Sequence, residues 1–225
     1  MIKEFKNFII GLSVLFLYLF SNFFILSILN FFEIDIDNFS YNQRVLFNLF
    51  FEFGLLIIFV FIYRKKLLTD FRSFRNCKFF SYIRYWMIAI GLMCISNIAI
   101  NMFTNISTST NQEMIVDIFS KSPIFIFILT VLIAPLMEEL VFRLSLRKMF
   151  KTDFLFIIIS GLFFGFMHVT SISSILELLY IIPYSIPGFI FAYTLVKSDN
   201  IFVPIGLHFI HNLVMIILQF IITFL

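Results

Sequence analysis

The 225-residue chain is 61% hydrophobic and 13% charged, with a mean hydropathy of +1.05 and a formal net charge of +3. A soluble domain has about 25% charged residues, so the composition excludes one and points to an all-α, polytopic membrane helix bundle with no separate soluble domain. Two cysteines, Cys77 in a charged loop and Cys94 in an apolar run, suggest neither a disulfide framework nor a thiolate metal site.

Crossing a hydrocarbon core of roughly 30 Å takes about 20 helical residues. Seven apolar stretches are long enough: 8–32, 45–63, 81–104, 123–146, 154–172, 174–196 and 201–225. Runs of this length in lipid are helices, because a helix pairs its own backbone. The first is preceded by Lys3 and Lys6, but it is too long for a signal peptide and no small-residue cleavage site follows. The polar segments 33–44, 64–80 and 105–122 read as loops. Pro183, Pro187 and Gly188 should kink or loosen the sixth stretch, and Pro204 suits the first turn of the seventh. The 36 phenylalanines carry no functional weight, being lipid-facing or packing residues.

Lys and Arg set orientation. With the N-terminus in the cytoplasm, 14 cationic residues fall on or near that side, and Arg44 and Lys121 fall outside. The outer loops then hold Glu33, Asp35, Asp37, Glu113 and Asp117, and seven spans place the C-terminus outside. The expected location is the bacterial plasma membrane, with the bilayer and a peptide or membrane-protein substrate as partners and no nucleic acid.

The fourth span holds the anomaly. Residues 132–143 read LIAPLMEELVFR, with Glu138 and Glu139 adjacent in an apolar segment. A charge at bilayer depth costs on the order of 2.5–3.5 kcal/mol on insertion scales. Arg143 lies four residues after Glu139, the favourable order for a helical ion pair. That pairing would orient the helix and leave Glu138, about 100° around it, free for another partner.

The three histidines, His168, His208 and His211, all lie in the second half. Glu138 is about 14 residues before the tip of the hairpin formed by spans four and five, and His168 is about 16 after it. At about 1.5 Å per residue the two share a depth within roughly one turn. His208 lies roughly 11–12 Å inside the same boundary. Asn212 is four residues after His208 and shares its face, with His211 near that face too. Glu52 and Glu177 also fall in apolar stretches; Glu52 would line the same cavity or pair locally with Asn48 or Arg84, and Glu177 sits near the outer boundary.

Burial and a second carboxylate favour a neutral acid, whereas a nearby arginine favours the anion. A glutamate balanced between them suits proton abstraction from water. Glu138 with His168 fits that task, and His208 with Asn212 can donate hydrogen bonds to a developing oxyanion. The reaction class is hydrolysis of an acyl bond inside the membrane.

Three strings then carry a family resemblance. Glu138-Glu139-Leu-Val-Phe-Arg143, Phe164-Gly-Phe-Met-His168 and His208-Phe-Ile-His-Asn212 resemble, in order, the EExxxR, FxxxH and HxxxN/D motifs of the CAAX protease and bacteriocin-processing family, which includes the type II CAAX prenyl endopeptidases. The resemblance covers roughly 120–215 and divides the single membrane unit into N-terminal helices without a recognised motif, 1–119, and a catalytic helical core, 120–225. It implies an intramembrane endopeptidase. Glu138 and His168 would activate water, His208 and Asn212 would form the oxyanion hole, Glu139 and Arg143 would support them, and His211 would lie outside the motif.

Glu138, His168 and His208 would make a His₂Glu zinc set, but no H-E-x-x-H string is present. A mechanism without metal is favoured, with zinc as the other cofactor choice. The expected substrate is a membrane-associated peptide or protein of bacteriocin, pheromone or CAAX-like type. A non-catalytic immunity or regulatory protein that sequesters a partner is the alternative function. A proton-coupled transporter is disfavoured by the lack of an inverted repeat.

Overall fold

The structure is a computed structural model and describes residues 2–169 and 172–224, the side chain of Phe224 excepted. Every regular element among them is helical. The chain runs α1 (Ile2–Leu19), α2 (Ser21–Phe31), α3 (Tyr41–Phe74), α4 (Ile83–Thr104), α5 (Thr110–Lys121), α6 (Pro123–Met149), α7 (Asp153–Met167), α8 (Ile181–Ser198) and α9 (Phe202–Phe224). Short 3₁₀ turns lead into α4 at Phe79–Tyr82 and into α8 at Ile175–Tyr180.

Five helices are long and apolar enough to cross a membrane, and a sixth span results if α1 and α2 count as one. This corrects the seven-span expectation in two places. The stretch 8–32 is broken at Phe20, where α1 and α2 meet at 59°. The stretch 154–172, which crosses the two undescribed positions, contains α7, a helix of 15 residues. That is below the length of a full crossing, so the odd parity that put the C-terminus outside loses its support.

Two segments read as loops are helical. The cationic stretch 64–74 continues α3, whose start is fixed by a capping box: Gln43 N–H donates to Ser40 Oγ, and Ser40 N–H donates to Gln43 Oε1. At 34 residues, α3 is about 51 Å long and outruns the hydrocarbon core. The polar stretch 105–122 contains α5, capped by Ser109.

α6 forms the centre. Pro123 opens it at the first helical position, where no N–H is needed. Two π segments, Ile128–Ile133 and Leu140–Ser145, bracket the turn bearing Pro135, Glu138 and Glu139. Such wide turns are rare and cluster at functional sites. The second is fully buried, with α1 against it so closely that a Cβ at Gly11 would meet the Ser145 carbonyl at 2.5 Å. Tyr63 of α3 joins the same segment through a hydroxyl contact to Ser145, 2.7 Å.

α7 and α8 pack backbone to backbone. A Cβ at Gly165 would lie 2.7 Å from the Ile181 carbonyl, and one at Gly188 would lie 2.9 Å from the Gly161 carbonyl. Small residues let membrane helices approach this closely. Gly188 is therefore a packing residue, and α8 continues as helix through Pro187.

α9 is registered on α3 by Asp70, which is 2% exposed. Its carboxylate accepts the Ile201 N–H at 2.9 Å, and its carbonyl accepts from the Asn200 side chain at 2.7 Å. Asp199, at φ 48°, makes the turn between α8 and α9. This anchor sets how far His208 is carried into the bundle.

Candidate active site

Glu139 and Arg143 lie one turn apart on α6, both with 0% of the side chain exposed. Arg143 Nε is 2.9 Å from Glu139 Oε2, a charge contact without hydrogen-bond alignment. The guanidinium also donates from Nη1 to Ser160 Oγ of α7 at 2.8 Å, and Ser160 in turn donates to the Phe142 carbonyl at 2.7 Å. It lies 5.1 Å from the centre of the Phe164 ring. A buried pair needs such further bonds to offset its desolvation, and here they also tie α6 to α7.

Glu139 does more than orient its own helix. Its Oε1 accepts from His208 Nδ1 at 3.0 Å, connecting α6 to α9. His208 stacks on Phe191 of α8, centroids 4.9 Å apart at 23°, and meets Phe164 edge-on at 5.5 Å. With Nδ1 committed to Glu139, Nε2 is the nitrogen that faces Glu138, 3.9 Å from its Oε2. No direct hydrogen bond joins them, and that oxygen of Glu138 is buried without a protein hydrogen-bond partner. One water molecule can touch both groups across that gap.

His168 caps the C-terminal end of α7, where its Nδ1 donates to the Phe164 carbonyl at 2.8 Å. The proton is thus on Nδ1, and Nε2 is left as an acceptor. The ring lies between Phe164, 4.5 Å away, and Tyr184, 5.0 Å away at 26°. Phe164 therefore separates His168 from His208 while touching both. Asn212 donates one amide hydrogen to the Thr130 carbonyl at 2.7 Å, within the first π segment of α6. Its second N–H remains available. His211 is buried, edge-on to Phe191 at 6.3 Å, with Nδ1 unpaired.

Among the described residues no three His, Cys, Asp or Glu side chains converge closely enough to hold a metal ion. Glu138, His168 and His208 as placed do not form a zinc ligand set.

Several participants were not singled out from the sequence. Ser160 is one, although its spacing of four and eight from Phe164 and His168 places the three along one face of α7. Phe191, and Phe164 beyond its place in the FxxxH string, act as ring platforms for the histidines. Tyr184 is held behind His168 by a 2.7 Å hydroxyl contact to Ser109, the N-cap of α5. Glu177, read as a boundary residue, is 3% exposed. It accepts from Thr110 N–H at 3.0 Å and from the Ser173 hydroxyl, fixing α5 to the segment after His168.

Residues 120–214 match the model of the family described as type II CAAX prenyl endopeptidase Rce1-like. Over that segment the chain resembles the Rce1-like family. The match spans α6 to most of α9 and contains all seven residues specified by the three motifs. YdiL of Bacillus subtilis (strain 168), whose assignment as a membrane peptidase is itself provisional, is 31% identical over 114 residues, covering 49% of this chain and 43% of that protein. An uncharacterised protein of Mycoplasma capricolum subsp. capricolum is 33% identical over 138 residues, covering 57% of this chain and 40% of that one. The chain thus spans less than half the length of these curated relatives. No solved structure matches it. Its long apolar helices mark an integral membrane protein, and the proteins it resembles are a prenyl endopeptidase family and a relative described as a membrane peptidase.

Proposed function

We propose that the chain is an intramembrane endopeptidase that hydrolyses a peptide bond in a membrane-associated peptide or protein. The reading rests on Glu138: a buried carboxylate with an unpaired oxygen, 3.9 Å from His208 Nε2 and next in the chain to the buried Glu139–Arg143 pair. Buried polar groups are almost always paired, so an orphaned carboxylate oxygen calls for water or substrate as its partner.

In this scheme Glu138 takes a proton from water held with His168 Nε2. The hydroxide adds to the scissile carbonyl, and the resulting oxyanion accepts from Asn212 and from His208 Nε2, the latter in its doubly protonated form. Glu138 returns the proton to the leaving amine as the C–N bond breaks. Glu139 and Arg143 hold His208 and α6 in place. The scheme uses the chain's own groups only. Turnover that survives exhaustive chelation supports it, whereas turnover lost on chelation and restored only by stoichiometric zinc overturns it.

We further place the protein in the bacterial plasma membrane with its N-terminus in the cytoplasm, on the distribution of its Lys and Arg residues. The substrate class is a peptide or protein segment lying at the membrane. Comparing peptides from cells expressing the wild type and Glu138→Gln tests both activity and substrate. A peptide cleaved only by the wild type supports the reading; equal cleavage by Glu138→Gln overturns it. Retention of a cellular phenotype by Glu138→Gln/His168→Ala would assign the biology to partner binding instead.

A further inference from the structure

A recess of about 520 Å³ opens between the distal parts of α3 and α6, away from the candidate active site. Six of its lining residues are cationic: Arg64, Lys65 and Lys66 on α3, Arg147 and Lys148 near the end of α6, and Lys151 just beyond. Lys66 pairs with Asp70 at 3.0 Å and Asp199 at 3.4 Å, and Arg147 pairs with Asp153. Among the described residues, Arg64, Lys65, Lys148 and Lys151 have no carboxylate partner within ion-pair distance. Lys148 reaches the Asn7 side chain, 3.3 Å, and the Tyr63 ring, 5.8 Å, and Arg64 turns to the carbonyl and ring of Phe61. Cationic residues at one end of a membrane bundle are ordinary. Here four of the six converge on a concave site without a matching acid among the described residues.

The remaining wall is apolar. Phe61 and Ile62 line the recess and are 64% and 41% exposed. One turn deeper on α3, Ile57 and Ile58 are 54% and 45% exposed, continuing the same ridges down the helix. Cations over an apolar strip match a ligand with a negative head and hydrocarbon tails. We propose that the recess binds the phosphate headgroup of an anionic phospholipid, with its acyl chains along Phe61, Ile57, Ile62 and Ile58. A bound lipid would bridge the helices joined at the buried Tyr63–Ser145 contact, two residues beyond Arg143. This site is independent of the catalytic reading.

Attraction of each Lys or Arg to an anionic surface is worth about fivefold in binding. The test uses the full chain purified from mixed phosphatidylglycerol and phosphatidylcholine, with retained lipid counted by native mass spectrometry. The wild type should keep phosphatidylglycerol in preference, and Arg64→Ala/Lys65→Ala/Lys151→Ala should lower its retention by about tenfold or more with unchanged thermal stability. The charge-matched variant Lys3→Ala/Lys6→Ala/Arg72→Ala should retain it as the wild type does. Equal loss in both triple variants would reduce the effect to general surface charge and overturn the site. Protection by inorganic phosphate or glycerol phosphate equal to that by the lipid would make it a soluble-phosphate site. Displacement of the lipid by a tetra-aspartate peptide would assign it to an acidic protein segment. Either result overturns the lipid assignment.

Discussion

α3 and α6 are both apolar enough to span a bilayer, yet they are used in opposite ways. Of the most hydrophobic window of α3, 17% is buried inside the protein, and of α4 with its leading turn, 11%. For α6 the share is 50%, and for α8 with its leading turn, 44%. Hydropathy does not separate the two groups. What separates them is polar and small residues: α6 carries Glu138, Glu139 and Arg143, and α7 and α8 meet through Gly161, Gly165 and Gly188. Lipid is as apolar as leucine, so hydrophobicity alone gives no reason for helices to pack in it. The buried charges and close backbone contacts supply that reason in the second half of the chain, and the first half joins it at Gly11, Tyr63 and Asp70.

The contrast can be broken at named residues. Arg143→Ala should have the largest effect on stability, about 3–5 kcal/mol, because it removes the buried guanidinium that faces Glu139 in the core; thermal unfolding in detergent measures it. Gly165→Ala should cost about 1–3 kcal/mol by overpacking, since the new Cβ would lie 2.1 Å from Ser185 Oγ and 2.7 Å from a backbone carbonyl. Tyr184→Ala removes the ring behind His168 and should lower kcat about tenfold through misplacement, with KM nearly unchanged; Tyr184→Phe keeps the stack and should keep most of the rate. Gly91→Ala on α4 should do least. Nothing lies within 4 Å of its Cβ position, so the change should be neutral or stabilising by up to about 1 kcal/mol. A large loss from Gly91→Ala would show that the first half is packed as tightly as the second.

The candidate site was legible because charges inside apolar helices are costly enough to stand out. Counting residues gives Glu138, His168 and His208 one expected depth, and the Glu139–Arg143 pairing that the structure shows follows from their spacing. The distribution of contacts was less legible. The bond from Glu139 to His208 joins positions 69 apart, and nothing local predicts which of two adjacent acids receives it. Asn212 was expected to face the oxyanion, yet one of its amide hydrogens is given to Thr130, whose carbonyl lies in a π segment with no obvious sequence signature.

The fold was misread where tertiary contacts override local signals. Arg64, Lys65 and Lys66 look like the start of a loop, but α3 continues because Asp70 is needed to anchor Asn200 and Ile201. The break between α1 and α2 at Phe20 has no proline or glycine to announce it. The tie from Glu177 to Thr110 escapes a local reading because the two are 67 positions apart.

The division of labour between the two adjacent acids is the central claim, and Glu138→Gln beside Glu139→Gln tests it most directly, with peptide cleavage and thermal unfolding measured on the same preparations. Glu138→Gln should lower cleavage by about 10²–10⁴-fold, the range of a general base, while its unfolding matches the wild type. Glu139→Gln should lower both cleavage and stability, because Arg143 and His208 lose their shared carboxylate. Wild-type cleavage by Glu138→Gln, or equal destabilisation by the two substitutions, would contradict the account.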